Sequence, residues 1–240
     1  MKRILLLIVR LFWRIPGWLM KIHSYQKNVD KVPFQQRYQL LKTIVYHINK
    51  KARVHIHSYG IENLPQEQGY LMTPNHQGLY DALILIETHP QSFKAVLKKE
   101  LLEVFVLGNV LKMLEFLPID RQNLRASVKV IRQVTQELNE GINYVIFPEG
   151  TRCRRQNEML EFKGGSFKAA MNAKKPIVPV ALIDCYKVFD DNSIRYVDAQ
   201  VHYLKPLYYE EYQDLSSQDI ASIVQERIRK CIQENEGKSF

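Results

Sequence analysis

Six residues, INYVIF at 142–147, run straight into Pro148 and carry almost no polar side chain. A run that short and that apolar reads as a strand buried on both faces, the kind found inside parallel sheets. Comparable runs recur at 69–73, 93–97, 115–119, 176–183 and 199–204, and Val54-His55-Ile56-His57 alternates until GIENLP turns the chain. Helical spacing fills the gaps. It runs through Tyr38, Leu41, Val45 and Ile48 in 34–52, and from about Tyr80 to Glu87. LLEVFVLGNVLKML reads as a helix broken near Gly108. Asn123 caps a helix with Leu124, Val128, Ile131, Val134 and Leu138 on one side, stopped by Gly141. A last helix starts with the capping box Ser216-x-x-Asp219 and carries Ile220, Ile223, Val224, Ile228 and Ile232. Strands alternating with helices imply an α/β fold: a largely parallel central sheet flanked by helices. There is no internal repeat and no long linker. The economical division is an N-terminal helical segment, 1–52, and an α/β domain, 53–240.

The N-terminal stretch MKRILLLIVRLFWRIPGWLMKIHSYQKN has an uninterrupted apolar run only from Ile4 to Val9. A spanning helix needs about 20 such residues, and no small-residue cleavage site marks a signal peptide. Wound as a helix, Arg3, Arg10 and Arg14 share one narrow sector and apolar residues fill the rest. Packing on the protein's own core accounts for the apolar residues but not for the aligned arginines. The expectation is therefore a helix lying in a membrane interface, arginines toward lipid phosphates, broken at Pro16-Gly17. That places the chain on the cytoplasmic face of the cell membrane, peripheral or monotopic.

Charge agrees with an anionic partner: 34 Lys and Arg against 25 Asp and Glu give +9 with neutral histidines. Nucleic acid fits poorly, since no recognition motif is present and the basic residues sit at strand ends rather than in a stripe. Cys153, Cys185 and Cys231 are odd in number and far apart, without CxxC or zinc spacing. A reducing compartment is expected, with neither disulfides nor a metal. His55-x-His57 lacks a third ligand and reads as the outward face of a strand; the tyrosines at 208, 209 and 212 read as packing.

NHQGLYD, 75–81, sets His76 and Asp81 five positions apart. On a continuous helix that spacing turns Asp81 away from His76, and such a pair arises by chance in roughly one chain in four of this composition. The pair works if His76 stands just before a helix whose first turn carries Asp81. Asp81 would then accept the Nδ1 proton and leave Nε2 free to take a substrate proton. Separate satisfaction of each by nearby backbone stays open. FPEGTR, 147–152, follows a strand; Gly150 allows a positive φ or close approach of a ligand, and Arg152 can fork onto a phosphate. His76 and Glu149 each follow a strand, so both stand on the rim where α/β sheets bind ligands. Arg121, Lys98, Lys99, Lys163 and Lys168 add cations, mostly near strand ends; each alone reads as a solvated charge.

NHQGLYD, PIDR, FPEGTR and IVPV, in that order, resemble the four motif blocks of the glycerolipid acyltransferases. The bacterial 1-acyl-sn-glycerol-3-phosphate acyltransferase group is the nearest match. GIENLP and FKGGSFKAA are similar to that group as well, and the likeness covers about residues 53–205. Gly78 and Cys153 stand where serine is frequent. The resemblance implies transfer of an acyl group from acyl-CoA or acyl-acyl carrier protein to the free hydroxyl of lysophosphatidic acid, without a cofactor. It implies His76 as base, Asp81 as its orienting partner, Arg121 and Arg152 on the phosphate, and Glu149 and Gly150 shaping that pocket. Asn75, Lys98 and Lys163 are further candidates, and Ile177–Val180 is an acyl-chain contact or a plain buried strand.

The chemistry suits these residues. A glycerol hydroxyl attacks a thioester well only as a base removes its proton, and paired arginines fix the phosphate at a set distance from that base. Main-chain amides after His76 are candidate oxyanion donors. GGSFK around Ser166 fails the GxSxG pattern, so no acyl-enzyme is expected. Two alternatives remain at this point: another acceptor, such as glycerol 3-phosphate or a different lysolipid, and a non-catalytic protein bound to anionic lipid.

Overall fold

A computed structural model describes residues 2–238; residues 1, 239 and 240 of the two expected segments lie outside the described residues. Helices α1 (Lys2–Leu11), α2 (Ile15–Lys27) and α3 (Phe34–Ala52) lead into strand β1 (Val54–Tyr59). There follow β2 (Leu71–Pro74), α4 (Asp81–Thr88), β3 (Phe93–Lys98), α5 (Phe105–Met113), β4 (Leu117–Ile119) and α6 (Leu124–Asn139). The chain ends with β5 (Asn143–Val145), α7 (Lys168–Ala173), β6 (Ile177–Ile183), β7 (Val197–Tyr203), α8 (Tyr209–Tyr212) and α9 (Ser217–Asn235).

The seven strands form one sheet in the order β1-β7-β6-β2-β5-β3-β4. β6, β2, β5, β3 and β4 run parallel; β7 is antiparallel to β6, and β1 runs parallel to β7. The period of two sorts side chains onto two layers. Met72, Val178, Val180 and Leu182 meet α2, α3, α4 and α5 on one face. Leu71, Ile177, Ala181 and Ile183 meet α6, α7 and α9 on the other. β2 and β5 are neighbours, pairing Leu71 with Tyr144 and Met72 with Val145, so NHQGLYD and FPEGTR leave the sheet side by side. Cys153, Cys185 and Cys231 are free thiols, all buried. His55 and His57 stand on edge strand β1 against Asp198 of β7.

The N-terminus departs from expectation. The break falls between α1 and α2, at 12–14, and Pro16 sits in the first turn of α2, where its missing N–H is no loss. Of the arginine sector Arg3 is turned into the protein, and Arg10 and Arg14, though exposed, bond back onto α3 instead of standing free toward lipid. Arg3 is fully buried and donates to the carbonyls of Ala52 and Arg195; Arg10 donates to Lys51 O at 3.0 Å, and Arg14 bonds His47. The last carbonyls of α3 lack intrahelical partners and carry partial negative charge, so they draw the guanidinium groups in. α1 and the following turn also expose a broad apolar surface: Ile4, Leu5, Ile8, Val9 and Phe12, with Trp13 90% exposed. No helix among the described residues is long and apolar enough to cross a membrane.

Two smaller expectations also shift. Gly108 lies inside α5; a Cβ there would sit 2.2 Å from the Leu102 carbonyl oxygen, so this glycine admits the preceding turn rather than ending a helix. Asn123 caps α6 by accepting from Ala126 N at 3.1 Å, but Leu124 and Val128 are exposed while Val134 and Leu138 are buried. The 16-residue α6 extends about 24 Å, whereas the three-residue strands β4 and β5 beneath it cover about 10 Å. Its first turns overhang the sheet.

Candidate active site

α4 begins at Asp81, so His76 belongs to the turn before it rather than to the helix. That turn folds back far enough to bring His76 Nδ1 within 2.7 Å of Asp81 Oδ2. The same oxygen accepts the main-chain N–H groups of Gln77 at 2.7 Å and Gly78 at 3.0 Å. An oxygen that already accepts two amides has no proton to give, so Nδ1 carries the hydrogen and Nε2 is the free base. Asp81 is fully buried, while the His76 side chain keeps 23% exposure. The Phe147 ring lies 4.2 Å from the imidazole and restricts its tilt. The Gln77 and Gly78 amides expected to serve an oxyanion are thus engaged by Asp81. Asn75 is fully buried and exchanges two hydrogen bonds with the main chain of Leu182, at 3.0 and 2.7 Å. It fastens the turn to β6.

The FPEGTR segment grips the same turn. Glu149 is 1% exposed; its Oε1 accepts from His76 N at 2.6 Å and its Oε2 from Leu160 N at 2.9 Å. Burial pushes its carboxyl up to about 7, against the pull of those two amides. Cys153 N donates to His76 O at 2.8 Å. The main chain of His76 is therefore held at both its N–H and its C=O.

Beyond Glu149 the cations converge. Gly150 has φ +75°, and a Cβ built on it would lie 3.4 Å from Lys163 Nζ and 3.7 Å from the Arg121 guanidinium. Lys163 is placed by its own N–H to Pro148 O, 3.1 Å. Among the described residues Arg121, Arg152 and Lys163 have no carboxylate at ion-pair distance. Asp120, next to Arg121, is instead paired with Lys99 at 2.6 Å, which holds its carboxyl below the usual range. Lys98 is solvent-exposed and faces Glu100 at 3.4 Å. At Gly78 a Cβ would meet Asp190 and Tyr186 at 3.5 Å, ordinary contacts, so glycine is not required there for lack of space.

The acyltransferase family profile matches residues 55–183, more than half of the chain and every residue of both turns. The chain belongs to the acyltransferase family. Similar members include the human 1-acyl-sn-glycerol-3-phosphate acyltransferase alpha, 28% identical over 163 residues, covering 68% of this chain and 57% of that protein. The 1-acyl-sn-glycerol-3-phosphate acyltransferase of Helicobacter pylori is 30% identical over 154 residues, 60% of this chain and 65% of that one. A probable enzyme of the same name from Mycoplasma pneumoniae is 31% identical over 172 residues, covering 65% and 61%. The match to this chain thus spans about three-fifths of these curated relatives. The crystal structure of the 1-acyl-sn-glycerophosphate (LPA) acyltransferase PlsC from Thermotoga maritima shares the fold, with a TM-score of 0.77 over 98% of both chains at 17% identity.

Sequence reading named His76, Asp81, Arg121, Gly150, Arg152 and Lys163 without ranking Lys163 above Lys98. It gave no role to Phe147, Gln77 or Asn157. Phe147 could have been found from its place in the turn paired with His76; Asn157 had no local signal.

Proposed function

We propose that this acyltransferase moves a fatty acyl group from an acyl thioester to the free hydroxyl of 1-acyl-sn-glycerol 3-phosphate, giving phosphatidic acid. The observation that carries the reading is the His76–Asp81 pair, Nε2 free, beside Arg121 and Lys163 at Gly150, with Arg152 two residues further along the same turn. The names of the relatives favour this acceptor.

In this account Arg121, Arg152 and Lys163 hold the phosphate of lysophosphatidic acid, with Gly150 leaving room for it. The acceptor hydroxyl donates to His76 Nε2. As the proton moves, the oxygen attacks the thioester carbonyl and a new C–O bond forms. Asp81 stabilises the imidazolium, which then protonates the departing thiolate as the C–S bond breaks. No side chain is acylated. The donor is acyl-CoA or acyl-acyl carrier protein. Residues 1–52 attach the 53–240 domain to an anionic membrane, with the outward apolar face of α1 and Trp13 entering the lipid and placing the site at the surface where acceptor and product reside. The cytoplasmic face, with peripheral or monotopic attachment, suits donors made in the cytosol.

Turnover of a labelled long-chain acyl-CoA and of the acyl carrier protein thioester, each against lysophosphatidic acid, glycerol 3-phosphate and lysophosphatidylcholine, tests this. Selective phosphatidic acid formation supports it. Selective use of glycerol 3-phosphate moves the acceptor, and no turnover with any pair contradicts it.

A further inference from the structure

A chain of polar contacts lies behind the His76 turn. Gln77 is fully buried; its Nε2 donates to Asn157 Oδ1 at 2.8 Å, and its Oε1 accepts from Cys185 N at 3.0 Å. Asn157 Oδ1 also accepts from Asp184 N at 2.9 Å, while Asn157 Nδ2 donates to Asp184 Oδ1 at 3.0 Å. Lys187 holds the second Asp184 oxygen at 2.9 Å. These side chains come from three separate segments: the His76 turn, the loop joining Arg152 to Lys163, and the turn after β6.

That loop has neither helix nor strand of its own between Arg152 and Lys163. Within 154–158, Asn157 is the one residue not exposed. Gln156 just before it takes a left-handed φ of 57°, a conformation uncommon in residues that carry a side chain. An amide side chain offers an acceptor and a donor together, so Asn157 can satisfy Gln77 and Asp184 at once. A carboxylate at 157, which only accepts, cannot.

We propose that Gln77, Asn157 and Asp184 are positioning residues that fix the separation between the His76 imidazole and the cations Arg152 and Lys163. The proposal rests on the acyl-transfer reading above. The hydroxyl to be deprotonated and the phosphate belong to one small acceptor. A loop that slides against the turn therefore misplaces one group whenever the other is bound.

A swap of side chains tests it. Asn157→Asp sets a carboxylate oxygen against Asp184 Oδ1. Adding Asp184→Asn restores the pair in reverse, with the amide now donating from position 184. Two readouts are taken on the full chain: kcat at saturating donor and acceptor, and amide hydrogen exchange across 153–160. The single variant is expected to lower kcat about 10- to 100-fold, with acceptor KM changed by less than about threefold. Exchange across 153–160 should quicken, and the double variant should recover both readouts. Wild-type kcat and exchange in Asn157→Asp overturn the proposal. So does a double variant as impaired as the single one, or a fall in kcat that merely tracks loss of folded protein in thermal unfolding. If the wild type transfers no acyl group, the functional reading fails, and exchange still decides: protection lost in the single variant and regained in the double supports the brace, and unchanged protection refutes it.

Discussion

Replacing Glu149 by Gln separates two effects that the buried carboxyl combines. Both of its oxygens accept main-chain amides, from His76 and Leu160. A glutamine accepts only one of them, and its NH2 group then faces the other N–H, donor against donor, at a cost of about 1–3 kcal/mol. Charge acts in the opposite sense. Burial raises the carboxyl from 4.5 to about 7, which corresponds to about 3 kcal/mol of preference for the neutral form in the folded state. Between those values the folded protein keeps a proton that the unfolded chain has lost. The group therefore adds stability below pH 4.5 that disappears as pH rises through about 7. Urea unfolding of wild type and Glu149→Gln at pH 5 and pH 8 reads this directly. The variant should be the less stable at pH 5, with the gap narrowing by about 2–3 kcal/mol at pH 8. A constant gap would show that Glu149 titrates as an exposed carboxylate does. A gap that widens with pH would show the ionised strut to be net favourable, and would refute the reasoning.

Asp81 takes three bonds on one oxygen, so Asp81→Asn can keep all three through its amide oxygen, while it removes the charge and puts an NH2 donor where Oδ1 is buried without a partner. Its kcat should fall about tenfold, against about 10²–10⁴-fold for Asp81→Ala, as steady-state kinetics of the folded variants will show. Gly150→Ala meets a left-handed φ costing about 1–2 kcal/mol and puts a methyl group 3.4 Å from Lys163 Nζ. A raised acceptor KM and a lower Tm are expected, and an unchanged KM would remove the phosphate from this spot. Val9→Glu on the outward face of α1 removes about 1.5–3 kcal/mol of apolar burial in lipid. Sedimentation with vesicles containing phosphatidylglycerol should show partitioning weakened about 10-fold or more, whereas undiminished binding would mean that this face does not meet the membrane.

The sheet and the helices on it were legible because their elements are read from short-range patterns: INYVIF stopped by Pro148, the alternation at Val54–His57, the helix caps at Asn123 and Ser216. The His76–Asp81 pair was legible once the helix start was placed near Tyr80, since the pairing depends on where the helix begins and not on spacing alone. The direction of α1 was not legible. A helical wheel shows that Arg3, Arg10 and Arg14 share a side, but which way that side turns depends on the α3 carbonyls some forty residues later. Lys98 and Lys163 looked alike in sequence, and only Glu100 beside one and the Gly150 turn beside the other separate them. Asn157 was invisible for the same reason: its partners are 80 and 27 residues away.

The central claim is that His76 is the base and that the cations around Gly150 hold the phosphate of the acceptor. Acyl transfer from a labelled long-chain thioester to 1-acyl-sn-glycerol 3-phosphate, run in parallel for wild type, His76→Ala and Arg152→Ala, tests it most directly. The account predicts turnover in wild type, loss of about 10²–10⁴-fold in kcat for His76→Ala, and a raised acceptor KM with smaller change in kcat for Arg152→Ala. Full activity in His76→Ala, with the variant folded as wild type, would contradict it.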